Sequence, residues 1–275
     1  MKFQITSSIA VYNTDYDKLK KAINSFLSSD LKIKLYVIDN SPTDILKESI
    51  NDKRIIYLHN DTNVGFGAAH NIAIKKTINN SKYHLVLNPD VYFNNGILAK
   101  IYNFMEKNNN IGALMPKVFY PDGSLQYLCK LLPTPYDWIG RRFSPFKKIL
   151  DQRNKLFELR FTGYNKTIDI PYLSGCFMFI RANALKKVGL FDEKIFMYGE
   201  DTDICRRFIK LGYRTVFYPE ATIFHEFQKG SHKSLRLTFI GLKSAIYYFN
   251  KWGWFIDNER CNINRETLHQ LNYKK

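Results

Sequence analysis

The sequence predicts an α/β protein: an open, mostly parallel sheet flanked by helices, followed by a basic helical segment at the C-terminal end. Three observations carry that expectation. Over the first 120 or so of the 275 residues, short β-branched runs alternate with longer segments of helical period, the pattern of strand, crossover helix and parallel strand. Hydrophobic residues make up 45% and aromatics 15%, with 14 Gly and 9 Pro, which excludes a disordered or collagenous chain. Polar residues gather where the apolar runs stop, and in an open α/β sheet ligands bind beyond the carboxyl ends of the strands.

The elements follow in order. Strands are expected at residues 5–12, 33–39, 55–59 and 83–87. After the first, Leu19, Ile23, Phe26 and Leu27 share one helical face, and Thr14 with Asp17 has the spacing of a capping box. A second helix is expected over residues 68–78, once Gly65 and Gly67 have turned the chain. Between residues 117 and 166 the texture changes to turn residues and then to a basic amphipathic stretch, with eight Lys/Arg and two Asp/Glu over residues 141–166. A strand at 170–180, a helix at 182–188, an acidic segment at 197–203, a helix running to Leu211 and a strand at 215–218 come next. Residues 228–275 are basic and aromatic, with nine Lys/Arg against three Asp/Glu.

The formal charge is 41 − 25 = +16, too basic for an enzyme that meets no anionic partner. Both basic stretches interleave cations with Phe, Leu, Tyr and Trp, which suits an anionic membrane surface or, alternatively, a solvated helix packed on the core. Nucleic acid would also fit the charge, but no recognition motif is present, so no nucleic-acid partner is expected. No run reaches the roughly 18 to 20 apolar residues of a spanning helix, and residues 1–13 hold no cleavable hydrophobic segment. The expected location is therefore cytoplasmic, peripheral on the inner face of the plasma membrane. Cys129, Cys176, Cys205 and Cys261 are far apart without a C-x-x-C pair, so neither a zinc module nor a disulfide framework is indicated. Each reads as a small buried apolar residue.

Candidate chemistry sits at the strand ends. Asn13 follows the first strand, Asp39-Asn40-Ser41 the second and Asn88-Pro89-Asp90 the fourth. Carboxylates there can reach a base, a ribose or a metal-bound diphosphate, although Asp39 and Asn40 also suit a plain turn. Asp90 directly follows Leu85, Val86 and Leu87, where a hard divalent cation beside a diphosphate would find an oxygen ligand. In Asn63-Val64-Gly65-Phe66-Gly67 the glycines let backbone approach a ligand, and a tight turn is the commoner meaning of such a pair. Glu200, Asp201 and Asp203 repel one another, and a helix N-terminus offsets only part of that repulsion. A carboxylate of this group could take a proton from an attacking hydroxyl, and the helix dipole is expected to keep it ionised and weakly basic. His225 closes the apolar run 221–224; a lone histidine is more often structural than a ligand.

In their order and spacing, IAVYN at 9–13, VIDNS at 37–41, NVGFGAAHN at 63–71, LNPDV at 87–91, DGSLQ at 122–126, SGCFMFIR at 174–181 and GLFDEKIFMYGEDTDICRR at 189–207, followed by His225, are specific. The chain resembles the inverting GT-A-type nucleotide-sugar glycosyltransferases of family 2, especially the rhamnosyltransferase-like branch that builds bacterial surface polysaccharides. The similarity spans residues 5–230. It implies a GT-A (Rossmann-like) catalytic domain at 1–227, with a nucleotide-binding half at 1–120 and an acceptor-binding half at 121–227, ahead of the segment 228–275.

For single residues, the resemblance implies that Val11, Tyr12 and Asn13 line the nucleotide pocket and that Asp39 meets the base or ribose. Asn63, Gly65 and Asn88 would join the donor site. Asp90 would bind Mg2+ or Mn2+ with the donor diphosphate, and His225 would be the second metal ligand. Asp201 would be the general base, with Glu200 beside it helping to bind the acceptor. Asn88 stands where the strict motif carries its first acid, so one acid fewer faces the cation. The implied reaction moves a sugar, L-rhamnose from dTDP-rhamnose, onto a lipid-linked saccharide. A transferase using UDP-galactofuranose or a UDP-hexose, and a catalytically silent sugar-nucleotide-binding assembly partner, are the alternatives.

Overall fold

The computed structural model describes residues 1–140, 147–227 and 235–273. Nine strands are present among the described residues. β1 (Phe3–Val11) lies parallel between β2 (Ile33–Asp39) and β4 (Ser81–Leu87), and β2 pairs in parallel with β3 (Ile55–His59). Beyond β4 come β8 (Phe177–Arg181), antiparallel, then β6 (Ile111–Phe119) and β9 (Arg214–His225), parallel to each other. The two-residue strands β5 (Val91–Tyr92) and β7 (Ile168–Asp169) both pair antiparallel with β9. The spatial order is β3-β2-β1-β4-β8-β6-β9-β5.

The period of two along each strand sends alternate residues to opposite faces, and helices cover both. Leu85, Leu87, Phe177 and Phe179 share one apolar layer with Leu19, Ile23 and Phe26 of α1 (Tyr16–Leu27) and Ile101 and Met105 of α3 (Ile97–Lys107). Val86, Met178 and Ile180 face the other layer, filled by Ile74 of α2 (Phe66–Thr77), Leu185 of α5 (Ala182–Val188), and Ile204, Cys205 and Phe208 of α6 (Glu200–Lys210). Helix α4 (Lys147–Phe157) adds Phe157 to that second layer. One buried polar chain crosses the interior. Thr6 and Ser8 hydroxyls bond the His84 ring, and Ser8 also bonds His70. Burial, with His84 adding to it at His70, holds both imidazoles near a pKa of about 3.

Several boundaries differ from the sequence reading. Asp15, not Thr14, caps α1, accepting from the Asp17 and Lys18 amides, while Thr14 Oγ1 accepts from the Tyr12 amide. The expected strand at 170–180 is formed only over β8, because residues 174–176 turn aside to meet α6 and the Gly175 amide leaves the ladder for a side chain. β9 does not stop at Tyr218. It runs on to His225 through a register shift against Pro116 and Lys117 of β6. Cys261 is exposed, unlike the other three cysteines.

The C-terminal helices α7 (Leu235–Trp252) and α8 (Asn258–Gln270) pack against α6 and the turn Tyr136–Gly140. α7 buries Ser244, Ala245, Tyr248 and Phe249, the last two against Trp138 in the turn Tyr136–Gly140. Leu235 and Phe239 stay 90% and 62% exposed. Among the described residues no helix is long and apolar enough to cross a membrane.

Candidate active site

The parallel register sets Val11 beside Asp39 at the carboxyl ends of β1 and β2. Asp39 is fully buried, and its Oδ1 accepts from the Ser41 amide at 2.8 Å while its Oδ2 accepts from the Tyr57 hydroxyl at 2.5 Å. Burial and that bond push the Tyr57 phenol up. Ser41 Oγ in turn accepts from the amide of Asn13, whose φ of +46° is a left-handed conformation that Asn tolerates. Tyr12 is 43% exposed beside it, so an aromatic face lies open over an anchored acid. Each Asp39 oxygen keeps acceptor capacity for a further donor.

The second cluster is built by a two-residue ladder. β5 pairs Val91 with His225, and the Glu226 amide donates to the Asp90 carbonyl, which brings Asp90 against the imidazole. Asp90 Oδ1 and His225 Nε2 face each other at 3.3 Å. Neither has an aligned hydrogen-bond partner among the described residues. The opposite ring nitrogen, Nδ1, lies 3.0 Å from Gln126 Oε1, and Gln126 Nε2 donates to the His225 carbonyl at 2.7 Å. With the amide nitrogen committed to that carbonyl, Gln126 can only accept from Nδ1–H, which leaves Nε2 as the ring's outward nitrogen. Burial alone would pull the imidazolium pKa down, yet Cys176 and Asp90 outweigh it and raise it to about 10.

One carboxylate oxygen and one imidazole nitrogen, both unpartnered and aimed at each other, form a donor pair that fits a divalent cation such as Mn2+. Among the described residues no third His, Cys, Asp or Glu joins them, so the remaining positions would fall to phosphate oxygens and water. Gln126 is the residue sequence reasoning missed. Its place in DGSLQ marks it, but only the fold turns it toward His225.

The acids at the start of α6 are buried, at 5% exposure for Glu200 and 9% for Asp201. Asp201 Oδ2 accepts from the Gly175 amide at 3.0 Å, and Oδ1 from the Thr202 amide at 2.8 Å and its hydroxyl at 3.4 Å. Burial raises the Asp201 carboxyl above its ordinary value despite those donors and the cation of Lys130. Glu200 is pushed well above the usual range, first by burial and then by Asp201. The expectation of a weak, dipole-held base is thus reversed: desolvation outweighs the helix terminus. Gly199, at φ +109°, admits the Trp138 ring where a Cβ would lie 2.4 Å from it.

A single loop joins the two clusters. The Gly175 amide holds Asp201; the next residue, Cys176, accepts the Asn88 amide at its carbonyl at 2.9 Å and sits against His225. Asn88, two residues before Asp90, and Asp201 are therefore bonded to the consecutive residues Cys176 and Gly175. Asn63 and Gly65 are not drawn into either cluster. Asn63 Oδ1 accepts the Gly65 amide, and a Cβ on Gly65 (φ +90°) would lie 2.4 Å from the Phe196 carbonyl oxygen. The glycine is explained by that close approach.

The back of α6 faces the C-terminal helices. Asp203 accepts from Arg207, Lys251 and the Trp252 indole. Arg206 is 1% exposed and reaches Asp257 at 2.7 and 2.6 Å and Glu259 at 2.9 and 2.8 Å.

Comparison with known proteins follows this geometry. The family model described as glycosyl transferase family 2 matches residues 8–189, and a second, glycosyl transferase family group 2, matches residues 154–257. The chain is 25% identical over 211 residues to an N-acetylglucosaminyl-diphospho-decaprenol L-rhamnosyltransferase of Mycobacterium tuberculosis, covering 72% of this chain and 68% of that protein. It is 25% identical over 223 residues to the rhamnosyltransferase WbbL of Escherichia coli K12, covering 79% and 81%. Among solved structures, a mannosyltransferase of Pyrobaculum calidifontis in complex with GDP-Man and Mn2+ superposes with a TM-score of 0.62 at 14% identity, over 98% of this chain and 70% of the other.

Proposed function

This chain belongs to glycosyl transferase family 2 and has a GT-A fold, and from that premise we propose that it is an inverting enzyme transferring L-rhamnose from dTDP-rhamnose to a lipid-linked saccharide. The observation that supports this reading is the loop 174–176, where Gly175 donates to Asp201 and Cys176 accepts from Asn88, two residues before Asp90. Rhamnosyl transfer is supported by both rhamnosyltransferases it resembles, and the lipid-linked acceptor by the Mycobacterium tuberculosis one.

The geometry supports these roles. Asp39, fixed by Ser41 and Tyr57, receives the base or ribose, with Val11, Tyr12 and Asn13 around it. On this reading residues 1–120 form the nucleotide-binding half and 121–227 the acceptor-binding half, with His225 of the second half reaching the donor's cation. Asp90 and His225 would hold Mg2+ or Mn2+, which when bound offsets the negative charge that develops on the departing diphosphate. Asp201 takes the proton of the acceptor hydroxyl as that oxygen attacks the anomeric carbon. A single displacement from the face opposite the diphosphate inverts that carbon. Burial favours this role, since a raised pKa makes the carboxylate a stronger base. Leu235 and Phe239, exposed beside Arg236 and Lys243, suit an anionic membrane surface where a lipid-linked acceptor resides.

Turnover of dTDP- and UDP-sugars with Mn2+ on a lipid-linked acceptor tests the reading. Asp201→Asn is expected to lose about 10²- to 10⁴-fold in kcat with the fold intact. Turnover by Asp201→Asn close to that of the wild type would remove the base, and failure of every dTDP- and UDP-sugar to stabilise the protein thermally would remove the donor.

A further inference from the structure

We propose that the adjacent acids at the start of α6 hold one proton between them at neutral pH, that this proton sits on Glu200, and that Glu200 therefore acts as a neutral hydrogen-bond donor while Asp201 alone is the base. The inference rests on the reading of Asp201 as the catalytic base.

The donors around the two carboxyls differ in kind. Asp201 receives two backbone amides and one hydroxyl across its two oxygens. Hydrogen bonds donated to a carboxylate favour its ionised form. Glu200 Oε2 is enclosed and has no partner among the described residues. A buried carboxylate oxygen without a donor is a costly arrangement, whereas the same atom as an O–H carries a donor for an incoming sugar oxygen.

The charged and titratable neighbours point the same way. The Lys130 cation acts on Asp201 and favours its ionised form. Tyr172 faces both acids, and burial together with the Asp201 charge pushes its phenol up, so it stays neutral. The Cys205 thiol, one turn along α6, is pushed up by burial and is neutral as well. From α2, a Cβ on Gly67 would lie 3.6 Å from the Glu200 Cβ, an apolar contact. His70 of the same helix turns its Nδ1 to Ser8. Two neighbouring carboxylates in such surroundings do not both ionise, and the less solvated one keeps the proton. During transfer the acceptor O–H proton moves to Asp201 as the new C–O bond forms, and the Glu200 proton stays in place.

The test is the pH dependence of kcat/KM for the acceptor, with saturating donor and Mn2+, in the wild type, Glu200→Gln, Glu200→Ala and Asp201→Asn. Glu200→Gln mimics the neutral acid. Its kcat/KM at neutral pH is expected to fall at least about tenfold less than that of Glu200→Ala, with the acid limb in place and the alkaline limb that Glu200 deprotonation produces lost. Glu200→Ala is expected to raise the acceptor KM more than it lowers kcat. An acid limb that moves to lower pH in Glu200→Gln overturns the proposal, because it means that an ionised Glu200 had been raising Asp201. Equal inactivity of Glu200→Gln and Glu200→Ala overturns it as well. An infrared difference spectrum gives an independent readout: a protonated carboxylic acid band at neutral pH must vanish in Glu200→Gln, and its persistence refutes the assignment. Full turnover in Asp201→Asn would instead overturn the catalytic reading itself, so the two failures are distinguishable.

Discussion

Replacing Asp257 by alanine strands a buried guanidinium. Arg206 is enclosed between Asp257, Glu259 and the Trp252 ring, whose centroid lies 4.3 Å from the guanidinium carbon. Removing one partner of a buried ion pair costs about 3–5 kcal/mol, because the remaining charge keeps its desolvation penalty. Glu259 stays behind with a side chain 35% exposed, and the Trp252 face adds about 1 kcal/mol of cation–π attraction. The loss should therefore fall near the lower bound, about 3 kcal/mol. At roughly 2–4 °C per kcal/mol for a chain of this size, Tm drops by about 6–12 °C. Urea unfolding followed by circular dichroism measures this, with an unchanged m-value showing that stability rather than compactness has changed. The double variant Arg206→Met, Asp257→Leu should regain only the part due to Arg206, since Arg260, buried and 3.6 Å from Asp257, still loses its carboxylate. A loss below about 1 kcal/mol would refute the reasoning, because the pair would then behave as an exposed surface bridge. The sign with pH is fixed too. Burial raises the Asp257 carboxyl, but Arg206 outweighs it and holds the group below its ordinary value, so this stability is present above the unfolded pKa and is lost as pH falls through the folded one.

Three other outcomes are expected. Gly65→Ala must leave its left-handed φ or push the Phe196 carbonyl, at a cost of about 1–3 kcal/mol, and an unchanged melting temperature would contradict this. Gln126→Ala removes the acceptor that fixes His225, and Mn2+ titration should show affinity about 10- to 100-fold weaker; equal affinity would remove His225 from the ligand set. His70 and His84 are held neutral to about pH 3, so unfolded chains bind their protons first as pH falls below about 6.5. Stability should then decline by about 1 kcal/mol per pH unit for each histidine down to that value, and a urea midpoint that is flat between pH 6.5 and 5 would refute it.

Much of this fold is legible in the sequence because parallel strands buried on both faces are continuous apolar runs. Ile33 to Asp39 and Leu85 to Leu87 are plain examples. The run from Ile170 misleads for the same reason: its apolar residues fit a strand, but Gly175 is needed as a donor to Asp201 and pulls the chain out of the sheet. Asp90 and His225 are each visible as strand-end residues. Their meeting is not, since it depends on a two-residue ladder that no periodicity marks. Nor does the sequence reveal that the acids of α6 are dry. The words Glu-Asp-Thr-Asp suggest solvent, yet in the fold Gly175 from another segment donates to Asp201 and both acids are buried.

The reverse side of α6 limits how this enzyme can be re-engineered. A chimera that grafts the last two helices from another transferase onto residues 1–227 would have to import a matched acid pair for Arg206 and a donor for Asp203. Without them the graft would tilt the very turn that carries Glu200 and Asp201. Acceptor-side retargeting in this chain is thus a two-piece design problem, in which the tail and the helix it grips must be exchanged together.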